Sequence, residues 1–285
     1  MTRVSVIGAG TMGAAMARRL LSAQMDVGVW ARHSSSTEPL AEQGATAYEM
    51  VTDAVREADV VISMLPTAEA TGDVMFDQAV LESLPSGAIW VQMATIGVAP
   101  TERLAAESLR LRPDVFFVDA PVSGSRSPAE QGQLLVLASG PSEAKQPLEP
   151  VFAALGRATL WLGPAGAGSR MKLVLNTWLA FQTEGAAESA ALAETLGVSI
   201  AALFDALRDN PLASPYALSK LTKMVEQDFH ADFALDWALK DLDLVVSTAG
   251  PGVAPIASAI AERWRGLVEH GSSGLDVSAA RQGLT

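Results

Sequence analysis

The stretch "VSVIGAGTMGAAMARRL" near the start of the chain constrains the fold more than any other. It places Gly8, Gly10 and Gly13 directly after a β-branched run and at the mouth of a helical pattern. In that setting the first glycine permits a tight turn, the second lets a pyrophosphate approach the backbone, and the third lets helix and strand pack closely. A lone GxGxxG is weak evidence, but a strand before it, a helix after it and a second strand beyond make a dinucleotide site the better reading over a plain glycine-rich turn.

The following residues extend the pattern. Runs at 3–8, 26–31, 59–65, 88–94, 115–121 and 134–140 read as strands, and the segments between them carry apolar residues at helical spacing. Such alternation predicts a doubly wound α/β domain, a Rossmann-type sheet that is mainly parallel. From about residue 166 the strand signals stop, and helix patterns take over at about 167–196, 199–210, 214–227, 233–250 and 255–270. The expectation is two domains, a nucleotide-binding half over 1–165 and an all-helical half over 166–285.

Composition excludes several functions. With 49% hydrophobic and 18% charged residues the 285-residue chain has ample material for cores. A net charge of −12 and the lack of any basic stripe argue against a nucleic-acid partner. No cysteine is present, which removes disulfides, thiolate metal sites and thiol nucleophiles. His33, His230 and His270 are scattered without metal-ligand spacing, so no metal is expected. No apolar run reaches the ~18 residues of a membrane span, and "MTRVSVIGAG" lacks the parts of a signal peptide, so a cytoplasmic location is the expectation.

The end of the second strand bears on the cofactor. An acidic residue there would serve the ribose 2′-hydroxyl of NAD, whereas "VWARHSSST" offers Ala31, Arg32 and a run of hydroxyls. Arg32 can form a bidentate pair with a 2′-phosphate and Ser34 or Ser35 can donate to it, which favours NADP(H). The competing reading is a solvated loop with one arginine.

In "GAGSRMKLVLNTWLAF" apolar residues surround a helix almost completely, which predicts burial between layers, yet Lys172 and Asn176 stand one turn apart on one face. A buried ammonium is costly unless it is paired. One reading is a lysine snorkelling to solvent. The other follows from position: the helix begins where the nucleotide-binding half ends and is expected to border a cleft, where a lysine can give a proton to a carbonyl oxygen as hydride reaches the carbon.

Four motifs taken together resemble the β-hydroxyacid dehydrogenases: "VIGAGTMG" (6–13), "DAPVSGSRSPAEQGQL" (119–134), "GAGSRMKLVLN" (166–176) and "LKDLDL" (239–244). In detail the chain is most similar to the glyoxylate/succinic semialdehyde reductase branch, whose members usually carry an arginine after the second strand and use NADPH. The resemblance implies Lys172 as acid/base and Asn176 beside it. It implies Ser123, Gly124 and Ser125 as the turn that holds a substrate carboxylate, for which successive backbone N–H groups are suited. For the cofactor it implies Gly8, Gly10, Thr11, Met12 and Gly13, with Ala31, Arg32 and Ser34, then Met64, Leu65, Pro66, Thr95 and Lys240. For the substrate it adds Phe233 and Asp241, with Asp236 and Trp237 standing in the same pocket segment where this chain departs from the family. The bland alternatives are Thr95 as a helix N-cap, Lys240 and Asp241 as a solvated helix face, and Phe233 as core.

The chain also departs from that pattern. "WAR" replaces the usual "WNR", Gly-Ser replaces a glycine pair after Ser123, and Ala70 stands near the position of an expected asparagine. "FALDW" replaces "FPLKH", so Asp236 and Trp237 speak against a second carboxylate on the substrate. The expectation is a homo-oligomeric, NADP(H)-dependent oxidoreductase acting on a small aldehyde or keto acid. An imine reductase-like enzyme and a non-catalytic dinucleotide-binding assembly protein are the alternatives; cyclic imines against glyoxylate separate the first, and binding without turnover marks the second.

Overall fold

Five β-branched or aromatic runs and one two-residue strand line up in a fully parallel sheet. In the computed structural model, which describes residues 2–250 and 252–284, these are β1 (Arg3–Ile7), β2 (Asp26–Trp30), β3 (Thr46–Ala47), β4 (Val60–Ser63), β5 (Ile89–Gln92) and β6 (Phe116–Asp119). Their spatial order is β3-β2-β1-β4-β5-β6, and every pairing is parallel. The order reverses between β1 and β4, the point at which open α/β sheets leave a crevice beyond their strand ends.

Alternation along the strands divides the core in two. Val4, Val6, Val60, Ile62 and Val91 pack on one face with Met16 and Leu20 of the first helix, α1 (Thr11–Ser22). Val61, Trp90 and Phe117 pack on the other. Trp90 is fully buried, meets Phe117 edge-on at 4.9 Å between ring centroids, and donates its indole N–H to Ser63 Oγ at 2.9 Å. A buried indole needs such an acceptor.

The run at 134–140 is a strand, but it does not join the parallel sheet. β7 (Val122–Ser123), β8 (Leu134–Ala138) and β9 (Gly156–Trp161) form a second sheet in that order, β7 antiparallel and β8-β9 parallel. The chain divides into two compact units, Met1–Lys172 and Leu173–Thr285. The long helix Ala167–Thr195 starts in the first unit and continues into the second. Its expected burial on all sides is corrected: Leu173 and Ala180 are buried, but Val174 and Trp178 are more than 60% exposed.

The second unit adds the helices Ile200–Leu207, Pro215–Glu226, Leu235–Ala249 and Pro255–Leu267. Local chemistry sets their starts. Ser199 accepts from the Ala202 N–H and Ser214 from the Ala217 N–H, with Pro215 in the first turn where its missing N–H costs nothing. Within this unit Trp264 is fully buried and donates to Glu184, which also pairs with Arg263. Among the described residues no helix is long and apolar enough to cross a membrane, and no group of three acidic or histidine side chains is placed to hold a metal ion.

Candidate active site

The glycine loop is wedged between strand ends. Gly8 donates its N–H to Trp30 O at 2.8 Å, and Met64 donates to Ile7 O at 2.9 Å, so the turn lies between the ends of β2 and β4. Gly8 has φ of +103°, and a Cβ there would fall 2.5 Å from Met64 O. A Cβ on Gly13 would fall 2.0 Å from Gly8 O. The fold itself therefore demands these two glycines. Gly10 differs, because a Cβ on it would meet no protein atom within 4 Å. It is the N-cap of α1 and gives that helix no side-chain cap, with Thr11 exposed and Met12 half-buried just inside. Uncapped amides at the positive end of a helix suit an anionic pyrophosphate, so these residues fit a dinucleotide.

The neighbouring segments follow from the same strand ends. Ala31 is half-buried, Arg32 is exposed, and Ser34–Ser36 form one 3₁₀ turn braced by Thr37, whose hydroxyl donates to Ser34 O at 2.9 Å. On the β4 side Met64 is half-buried, Leu65 buried and Pro66 exposed. After β5, Gln92 holds the bend before Thr95: its side chain donates to Ala94 O at 2.6 Å and accepts from Ala94 N–H at 3.1 Å. Thr95 is not the N-cap of the next helix; that position is Gly97, ahead of Val98–Leu111.

In "PVSGS", Ser123 ends β7, Gly124 turns with φ of +130°, and Ser125 precedes the short helix Arg126–Glu130. A Cβ on Gly124 would lie 2.8 Å from a Leu134 methyl, so the close turn requires glycine.

The start of the long helix carries a polar lock that sequence reasoning missed. Asp119, the last residue of β6, is fully buried. Its carboxylate accepts from Gly166 N–H (3.1 Å), Ser169 N–H (2.8 Å), Ser169 Oγ–H (2.8 Å) and Ser139 Oγ–H (3.1 Å). Gly168 N–H donates to Ser139 Oγ at 2.9 Å. The amides that a helix start leaves without partners are thus satisfied. Burial pushes the Asp119 carboxyl above its ordinary value, and the bonds from Ser169, Ser139 and Gly166 draw it back. Lys172 lies half-buried, one turn beyond Ser169. The only sequence signal was the "DAP" of a motif whose serine and glycine drew the attention.

In the helical unit Asn176 is 5% exposed and donates its side-chain amide to the Asp241 carboxylate. A carboxylate only accepts, so the Asn176 amide nitrogen faces Asp241 and its oxygen faces away. Lys240 Nζ is 2.9 Å from the second Asp241 oxygen and 5.8 Å from the Trp237 ring centroid. Asn176, Lys240, Asp241 and Trp237 therefore form one cluster, and Asp241 is buried rather than part of a solvated face.

Asp236 is turned elsewhere, accepting from Trp237 N–H (2.8 Å) and Ser273 Oγ–H (2.9 Å). Phe233 is half-buried and is held through its backbone: its N–H donates to Asp276 at 3.2 Å and its carbonyl accepts from Val277 at 3.0 Å. Asp276 pairs with buried Lys220 at 2.8 Å. These two residues were also missed, because they lie 56 positions apart and neither stands in a motif.

Comparison with known proteins decides the family. Residues 3–163 match the NAD binding domain of 6-phosphogluconate dehydrogenase, and residues 166–283 match the NAD-binding domain of NADP-dependent 3-hydroxyisobutyrate dehydrogenase. The chain belongs to the β-hydroxyacid dehydrogenase family. Among curated members of that family, glyoxylate/succinic semialdehyde reductase 1 of Arabidopsis thaliana is 31% identical, over 97% of this chain and 96% of that protein. An NAD-dependent L-serine dehydrogenase of Pseudomonas aeruginosa is 30% identical over 99% and 97%. A 3-hydroxyisobutyrate dehydrogenase of Mycobacterium tuberculosis, solved with L-serine, superposes with a TM-score of 0.90 at 28% identity, covering 100% of this chain and 99% of that one. The family assignment agrees with the four-motif resemblance and makes this β-hydroxyacid dehydrogenase a dinucleotide-binding oxidoreductase.

Proposed function

We propose that this enzyme interconverts a small aldehyde or keto acid and its hydroxy acid with NADP(H), using Lys172 as general acid/base. The observation that carries the reading is the polar pair on the long helix: Lys172 sits one turn past a fully bonded helix start, and Asn176, one turn further, has its amide nitrogen committed to Asp241. That leaves the Asn176 oxygen as an acceptor facing away from Asp241, suited to an ammonium or a substrate hydroxyl. When bound, a reduced nicotinamide would supply the hydride for the carbonyl carbon. Lys172 gives its proton to the developing alkoxide oxygen and recovers one in the reverse direction. Ser123 and the amides of Gly124 and Ser125 hold the substrate carboxylate. Phe233 and Asp241 as substrate residues, Lys240 and Thr95 as cofactor residues, and a homodimer or homotetramer rest on the resemblance to the family, whereas Asp236 and Trp237 are substrate candidates because they replace that family's usual residues beside Phe233.

The cofactor preference rests on Arg32 with Ser34 and on the missing carboxylate in 31–37. The test is a carbonyl panel read with NADPH and NADH in parallel. Lys172→Ala is expected to lower kcat by about 10² to 10⁴ with little change in dinucleotide binding, the scale of a positioned proton donor. Wild-type turnover in that variant would defeat the role of the lysine. Arg32→Glu is expected to raise KM for NADPH by roughly tenfold to a hundredfold and to spare NADH, the worth of a charge-assisted bidentate contact. An unchanged ratio of the two cofactors would defeat the assignment of Arg32.

A further inference from the structure

We infer that Asp119 is a positioning residue that sets the spacing between the "PVSGS" turn and Lys172, and thereby which length of substrate is turned over. The inference rests on the reaction proposed above, in which that turn holds the carboxylate and Lys172 protonates the carbonyl oxygen. Asp119 stands four residues before Ser123, and Ser169, its main partner, stands three residues before Lys172.

Its backbone is fixed first. Asp119 and Ser139 exchange both main-chain hydrogen bonds, at 2.9 and 2.7 Å, which ties the end of β6 to the segment after β8. Its carboxylate then takes the amide of Gly166 just before the long helix, the amide and hydroxyl of Ser169 in its first turn, and the hydroxyl of Ser139. All four groups donate, so the site is built for an acceptor at both oxygens.

Close packing removes the remaining freedom. A Cβ on Gly168 would lie 2.1 Å from Leu137 O, so the helix start rests directly on strand backbone. A third segment packs beside the lock: the Thr101 hydroxyl, which donates to Gly97 O at 2.8 Å, lies 3.1 Å from Ser169 Oγ, whose own proton goes to Asp119. The Ser123 turn and the Lys172 helix are thus referenced to one buried carboxylate. Displacing a reacting group by about 1 Å costs on the order of 10²-fold in rate, so a lock of this kind acts on turnover and on the choice between substrate lengths.

The test uses the full-length enzyme, Asp119→Asn and Ser169→Ala, with a two-carbon 2-oxo acid and a four-carbon semialdehyde acid as probes. Asp119→Asn puts an amide donor against donors. It is expected to shift the ratio of kcat/KM between the two probes by about tenfold or more, while NADPH binding changes less than about twofold. Amide hydrogen exchange at Gly166 and at 168–172 is expected to accelerate, with β1 and β4 unchanged. Ser169→Ala keeps the carboxylate and is expected to move both readouts the same way by about threefold, and it serves if Asp119→Asn does not fold. A uniform loss on both probes, or amides as protected as in the wild type, overturns the inference. Lys172→Ala is measured alongside: retained activity there defeats the proposed reaction, whereas the exchange data still decide whether Asp119 holds this helix.

Discussion

Asp119 in the nucleotide-binding unit and Asp276 in the helical unit are both fully buried carboxylates, and each pins a segment that carries candidate site residues. They are held by different means. Asp119 is met by backbone amides and serine hydroxyls at a helix start. Asp276 is met by the Lys220 ammonium together with the Asp232, Phe233 and Ser278 amides. Burial pushes both carboxyls up, but only at Asp276 does the added counter-ion, with its hydrogen bonds, bring the group below its ordinary value. Dipoles are enough to seat a carboxylate at the positive end of a helix, whereas elsewhere in a core a full opposite charge is needed to hold it ionised.

Removing one partner from each site is the most direct way to break that comparison. Asp276→Ala leaves the buried Lys220 ammonium with only the half-exposed Asp232 carboxylate at 3.9 Å, and should cost about 3–5 kcal/mol in urea unfolding. If Lys220→Met added to it restores no stability, the ion pair is not what holds the site. The same pair sets a pH dependence. Because the folded Asp276 carboxyl lies below its unfolded value, its stabilisation is present above the ordinary carboxylate range and is lost as pH falls through the folded value. Unfolding followed against pH should therefore show an acid-limb loss that Asp276→Asn flattens. At Asp119 the sign is opposite: a raised carboxyl binds its proton more tightly when folded, so it contributes no such loss on acidification.

A smaller effect is expected from Asp119→Asn, which strands neutral donors and no charge: about 1–3 kcal/mol by thermal melting. A cost matching that of Asp276→Ala would mean that dipoles alone do not account for how Asp119 is held. Ser169→Ala should be the mildest, about 1 kcal/mol, because the Ser169 backbone amide still reaches Asp119.

Much of the fold was legible in the sequence because its long strands are β-branched runs with helices between them. β3 has only two residues, and β9 opens on Gly-Arg at a sheet edge, so neither gave an apolar run to read. Strand pairing was less legible still: "LLVLASG" has the composition of a parallel core strand, but the turn at Gly124 and the wedge of Gly156 against Leu134 O direct it into a second sheet. In the helix around Lys172, composition suggested burial all round, yet a helical stripe holds Val174 and Trp178 out while Leu173, Asn176 and Ala180 turn in. The candidate site was legible where local motifs carry it, as at Gly8, Gly10 and Gly13. Asp119 with Ser139 and Lys220 with Asp276 depend on partners that only folding brings together.

The contrast between Gly8 and Arg32 has a consequence for how such a chain can change. Gly8 is interlocked with Met64 backbone, so its loop tolerates no side chain without moving two strand ends. Arg32 and Ser34 follow Trp30, whose carbonyl accepts from the Gly8 N–H, and are exposed on and beside a single 3₁₀ turn. Binding of the dinucleotide as a class is thus written into the rigid frame, while the proposed role of Arg32 and Ser34 puts the choice between two dinucleotides on a separable surface module. If Arg32 and Ser34 hold the 2′-phosphate as proposed, substitutions confined to residues 31–36 should change cofactor preference with little effect on folding.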